Sequence, residues 1–159
     1  GVPATAPPGL RRVVTQVFEI VTAFTLAHSI TLIVSALGLV TLPSRLVETA
    51  IALSVAVAAL NNLVRAVDAR WAVAFALGLL HGFGFSSVLV DAGLPSHELV
   101  GALLGFNLGV ELGQLAIVVT VVPLLYLVRR TTAYRVLVWV GSAAIGALAI
   151  YWAVTRFVA

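Results

Sequence analysis

Leu99–Val128 reads LVGALLGFNLGVELGQLAIVVTVVPLLYLV, a stretch with one charged side chain, Glu111. An α-helix rises 1.5 Å per residue, and about 20 apolar residues cross the hydrocarbon core of a bilayer. The stretch is long enough to cross. It lacks the strict alternation of a barrel strand, and in lipid only helices and closed barrels satisfy their backbone groups. It therefore reads as a transmembrane helix.

Working outward, four more apolar runs qualify, at roughly 15–40, 46–65, 71–90 and 135–157, beside this one at 99–128. TLPSR, AVDAR, DAGLPSH and RRTTAYR separate them. Composition agrees: of 159 residues 62% are hydrophobic and only 9% charged, against about 25% charged in soluble domains. The expected fold is all-α, a polytopic bundle of five transmembrane helices forming one transmembrane domain over residues 1–159. Residues 1–12 are expected to be loop-like. The chain opens on Gly1 and VPATAPPG, as a processed or partial chain would, and shows no cleavable signal-peptide pattern.

The nine basic residues are all Arg and give a net charge of +3. They lie between apolar runs and near the chain ends, where they anchor loops at the membrane surface and do not suggest nucleic acid as a partner. Arg11, Arg12, Arg65, Arg70, Arg129, Arg130 and Arg135 fall on one side, and Arg45 and Arg156 on the other. The positive-inside rule places the first group, and the N-terminus, in the cytoplasm. Asp91, His97 and Glu98 form an acidic outer connection on this reading. Cysteine and methionine are absent, which excludes disulfides, thiolate metal sites and thioether ligands.

Several polar side chains share mid-membrane depth: His28 on the first helix, His81 on the third, and Glu111 and Gln114 on the fourth, with Asn107 a turn further out. Ionisable groups there cost at least ~2.5–3.5 kcal/mol for the costlier types and mark functional sites. Asn107, Glu111 and Gln114 are spaced i, i+4, i+7 and form one stripe. Gly101, Gly105, Gly109 and Gly113 face the opposite way and are expected to pack tightly against a neighbouring helix. Gly78, Gly82 and Gly84 around His81 allow close packing or local unwinding. Thr25, Ser29 and Thr31 supply hydroxyls around His28. Asn61 and Asn62 read as interhelical hydrogen bonders.

A mid-membrane imidazole has two readings, an interhelical hydrogen bonder or a ligand. Glu111 has no Arg or Lys at its depth, which leaves a proton, His28 or His81, or a metal ion as its partner. Nitrogen and carboxylate donors suit Ni, Co or Zn. The metal candidates are His28, His81 and Glu111, with Glu48, Asn107 and Gln114 in support.

Four motifs, FTLAHSITL, LPSRLVETAIALS, LLHGFGFSS and FNLGVELGQ, resemble the HupE/UreJ family of hydrogenase and urease accessory membrane proteins, in order and over nearly the whole chain. The resemblance implies a bacterial inner-membrane protein regarded as a nickel or cobalt permease. It places His28 in the FTxAHS element, Glu48 in the VE element, His81 in the HGFGF element, and Asn107, Glu111 and Gln114 in the FNxGVExGQ element. The family's earlier helix with a His-rich HxxxGxDH element has no counterpart here.

Three functions are in contention. The first is a divalent-cation permease, with the acidic outer loop collecting ions and Glu48 near the mouth. The second is an accessory subunit docked in the bilayer on other membrane subunits or on a missing preceding helix. The third is an intramembrane zinc hydrolase, which lacks an acid–base pair beyond the ligands themselves, so the expectation is that the chain is not an enzyme.

Overall fold

The computed structural model describes residues 9–64, 67, 69–91 and 96–158, with backbone alone for 85–91, 96–97 and 99–100. Arg65 and the side chains of Asp91 and His97 lie outside the described residues. The described chain is helical, with α1 (Leu10–Ala36), α2 (Ser44–Val64), α3 (Arg70–Asp91), α4 (Ser96–Val128) and α5 (Thr132–Val158). Among the described residues no strand occurs. α1, α2, α5 and Gly101–Val128 of α4 are long and apolar enough to cross a membrane.

The bounds of α1 differ from the expected 15–40 at both ends. It begins at Leu10, with Gly9 as an extended N-cap, so residues 10–12 are helical and not loop. It ends at Ala36 because Gly38 takes a left-handed φ of 71°. Gly38 N–H then donates to Ser35 O at 2.9 Å and Leu39 N–H to Val34 O at 3.1 Å. This pair of bonds is the Schellman closure that glycine makes possible. The α2–α3 connection is held by Asn61, whose amide donates to Val67 O at 3.2 Å and accepts from Val67 N–H at 2.9 Å. Asn61 braces its own loop, where a bond to a neighbouring helix was expected.

The helices touch in the order α4–α1–α3–α2–α5, with α1 on α3 and α2 on α5 the most extensive contacts. α4 and α5, joined by a short connection, touch only lightly. The buried interior is built from small side chains, among them Ala27, Ala52, Ala59, Ala74, Ala149 and Ala153. The periphery exposes Leu26, Ile30, Leu104, Ile117, Val140 and many other large apolar groups. An apolar exterior around a small-residue interior suits lipid, where helices associate by close packing and not by hiding apolar surface from water.

Which glycines do that packing departs from expectation. A Cβ added at Gly101, Gly105, Gly109 or Gly113 would meet nothing within 4 Å. α4 turns its amide stripe to α1, and the opposite glycine stripe meets no neighbouring helix among the described residues. The close approach lies between α1 and α3. A Cβ on Gly78 would strike Phe24 O and come within 2.9 Å of Ala27 Cβ. A Cβ on Gly82 would strike His28 O and Thr31 Oγ1 and come within 2.9 Å of Leu32 N.

At one end of the bundle, Arg156 Nε lies 3.0 Å from Glu48 Oε2. Beside it Arg45 donates to Phe157 O and lies 5.3 Å from the centre of that ring. Arg45 and Arg156 therefore share an end, as the Arg count anticipated.

Candidate metal-handling site in the membrane interior

The Gly78/Gly82 crossing brings the backbones of α1 and α3 together at the turns that carry the two histidines. His28 is 2% exposed. Its ring stacks on Phe24, with centroids 6.0 Å apart and planes 10° apart, and lies 6.1 Å from the Phe106 ring of α4. The Phe24 ring also meets His81 edge-on at 5.4 Å. One aromatic ring thus contacts both imidazoles. His81 Nδ1 lies 2.8 Å from Leu77 O. A carbonyl can only accept, so Nδ1 carries the proton in the neutral ring and Nε2 keeps the lone pair a cation would use.

α4 docks on α1 through side-chain hydrogen bonds. Thr25 Oγ1 donates to Gln114 Oε1 at 2.9 Å. Ser29 Oγ lies 2.9 Å from Asn107 Oδ1 and 2.8 Å from Thr25 O, so its single proton serves both acceptors. Asn107 Nδ2 donates to Leu103 O at 3.0 Å, which fixes the orientation of the amide. Both amides are occupied as ties between helices. Glu111 sits between them in sequence, four residues after Asn107 and three before Gln114, and is partly buried.

Of the sequence-derived candidates, His28 and His81 come together around Phe24, and Asn107 and Gln114 meet α1. Glu111 lies on that same α1-facing stripe. Glu48 is apart from them: it pairs with Arg156 and lines a cavity between α2 and α5. Among the described residues no group of three or more His, Asp or Glu side chains is gathered closely enough to hold a metal ion. The aromatic walls Phe24 and Phe106 escaped the sequence reading. Their signal was their spacing, Phe24 four residues before His28 and Phe106 beside Asn107.

The α1–α4 ties carry a measurable expectation. Interhelical hydrogen bonds in membranes average ~0.6 kcal/mol and reach ~1.7. Ser29→Ala and Thr25→Val should each lower thermal stability in detergent by an amount in that range. Unchanged melting in both variants would show that α4 is held by other contacts.

Fold and site together define a polytopic helical membrane protein with one buried and one half-buried imidazole on a shared aromatic ring. A family model described as HupE / UreJ protein matches residues 10–156. The chain belongs to the HupE/UreJ family. Membership suggests a nickel or cobalt transport or accessory role, and the family is not one of known enzymes. Comparison with curated proteins and with solved structures finds no match.

Proposed function

We propose that the chain is a permease for a divalent transition cation of the nickel or cobalt type, in the inner membrane of a bacterium. All five helices span the membrane in this reading. The observation that carries it is the α1–α3 crossing, which sets His28 and His81 around one aromatic ring in the apolar interior. His28 and His81 offer imidazole nitrogen to the cation, and Glu111 offers the carboxylate that offsets its charge. Asn107 and Gln114 hold Glu111's face of α4 against α1. Such mixed nitrogen and oxygen donors suit Ni²⁺, Co²⁺ or Zn²⁺. A loose set of donors favours passage, because an ion bound by a complete shell does not leave.

Cells expressing the chain should accumulate nickel faster than cells expressing His81→Ala at equal membrane abundance. Equal uptake by the two would remove His81 from the path.

Orientation belongs to the same proposal. The Arg count puts the α2–α3 and α4–α5 connections in the cytoplasm, and Ser96, at the start of α4, outside. The chain has no cysteine, so Ser96→Cys gives a single labelling site. An impermeant thiol reagent should modify it from the periplasmic side. Modification from the cytoplasmic side alone would invert the orientation.

A second reading is an accessory subunit of a larger membrane complex. The outward glycine stripe of α4 favours it, because that face lacks a neighbour among the described residues.

A further inference from the structure

The cavity between α2 and α5, about 330 Å³, takes no part in the proposed cation path. Ala52 and Ala149 form its buried floor, and Ile145, Leu148 and Trp152, each about half exposed, form its outer wall. It extends along α2 from Glu48 to Val55, about 10 Å at the helical rise. Deeper along the pair the helices close up, where a Cβ on Gly146 would come within 3.5 Å of Ala59 Cβ. The result is an apolar groove with a polar mouth, set between two helices long and apolar enough to span a membrane.

The mouth has an excess of positive charge. Among the described residues, Arg156 at the mouth and Arg45 beside it on Phe157 stand against the one carboxylate of Glu48. Arg156 holds Glu48 through Nε, and its side chain remains 63% exposed. A guanidinium presents its donors as a rigid fork, and one edge can hold a carboxylate while another accepts phosphate oxygens.

We infer that the α2–α5 groove is a binding site for an anionic phospholipid, one acyl chain lying over Ala52 and Ala149 and the phosphate on Arg156. The apolar wall accommodates the chain of any lipid. The phosphate is common to anionic and zwitterionic lipids, and the positive potential of Arg156 and Arg45 together favours the headgroup that carries no ammonium of its own. Glu48 competes with the phosphate for Arg156.

Native mass spectrometry of the detergent-purified protein, with phosphatidylglycerol or phosphatidylcholine added at equal concentration, tests the site. The unaltered chain should retain phosphatidylglycerol about tenfold better, because both lipids offer the same phosphate but the choline ammonium of phosphatidylcholine is repelled by the two guanidinium groups. Arg156→Gln should erase the preference, and Glu48→Gln should raise it by freeing Nε for the phosphate. Ile145→Trp, at a half-exposed wall position, should fill the groove and reduce retention of both lipids. Circular dichroism and a monodisperse elution profile establish that each variant is folded. Should Arg156→Gln not fold, Glu48→Gln and Ile145→Trp decide the matter. Equal retention of the two lipids by the unaltered chain would overturn the inference. So would a preference untouched by Glu48→Gln together with lipid retention untouched by Ile145→Trp.

Discussion

Gly82→Ala should abolish the folded protein, although it adds a single methyl group. The new Cβ would strike the carbonyl oxygen of His28 and the hydroxyl of Thr31, and come within 2.9 Å of Leu32 N. The hydroxyl can turn away. The carbonyl and the amide belong to the α1 backbone and cannot, so α1 and α3 must separate along their whole contact. Overpacking typically costs ~1–3 kcal/mol when side chains can adjust. Here the obstruction is backbone, and the loss should reach or exceed that upper end. Gly82→Ala combined with Thr31→Ala should not recover, because the His28 carbonyl remains. Gly105→Leu on α4 should leave the fold of the single chain intact, since a Cβ there meets nothing within 4 Å. Thermal unfolding followed by size-exclusion chromatography in detergent separates the outcomes. A Gly82→Ala protein that melts like the unaltered chain would show that the α1–α3 contact is looser than described.

That contrast shows where sequence reasoning reaches its limit. Periodicity tells which residues share one face of a helix, and it grouped Asn107 and Gln114, which meet α1, opposite the four glycines of α4. It does not tell which helix lies across from that face. The α4 stripe was the longer glycine signal, yet the amides, with hydroxyl partners on α1, took the contact. The two glycines of GLLHG, at i and i+4, did the packing. The end of α1 was missed because Gly38 sits inside an apolar run, and only its left-handed backbone reveals the stop. Glu48 was expected to stand near the mouth of the cation path. Its pairing with Arg156 depends on α2 lying beside α5, which no local pattern encodes. By contrast, five helices, the shared end of Arg45 and Arg156, and hydroxyls serving as bonds around His28 were legible. Each follows from segment length, charge position or residue type alone.

His28→Ala and His81→Ala should each weaken nickel binding by at least ~100-fold while the helices stay assembled. Groups that merely support a metal ligand are worth ~10–100-fold, and these two are proposed to touch the ion. Alanine is well tolerated in a membrane helix, and the α1–α3 contact rests on Gly78 and Gly82, not on the imidazoles. His28→Ala leaves a gap between Phe24 and Phe106 and should lower the melting temperature more than His81→Ala, whose ring is less buried. Glu111→Gln keeps the shape of the side chain and removes the charge that offsets the cation, so binding should fall with little change in stability.

The direct test of the proposed cation site is equilibrium dialysis of the purified protein against nickel, with metal per chain read by mass spectrometry. The unaltered chain should show one saturable site that His28→Ala, His81→Ala and Glu111→Gln each weaken severely. Saturable binding that survives all three substitutions, or its absence from the unaltered chain, would contradict a cation site built from His28, His81 and Glu111.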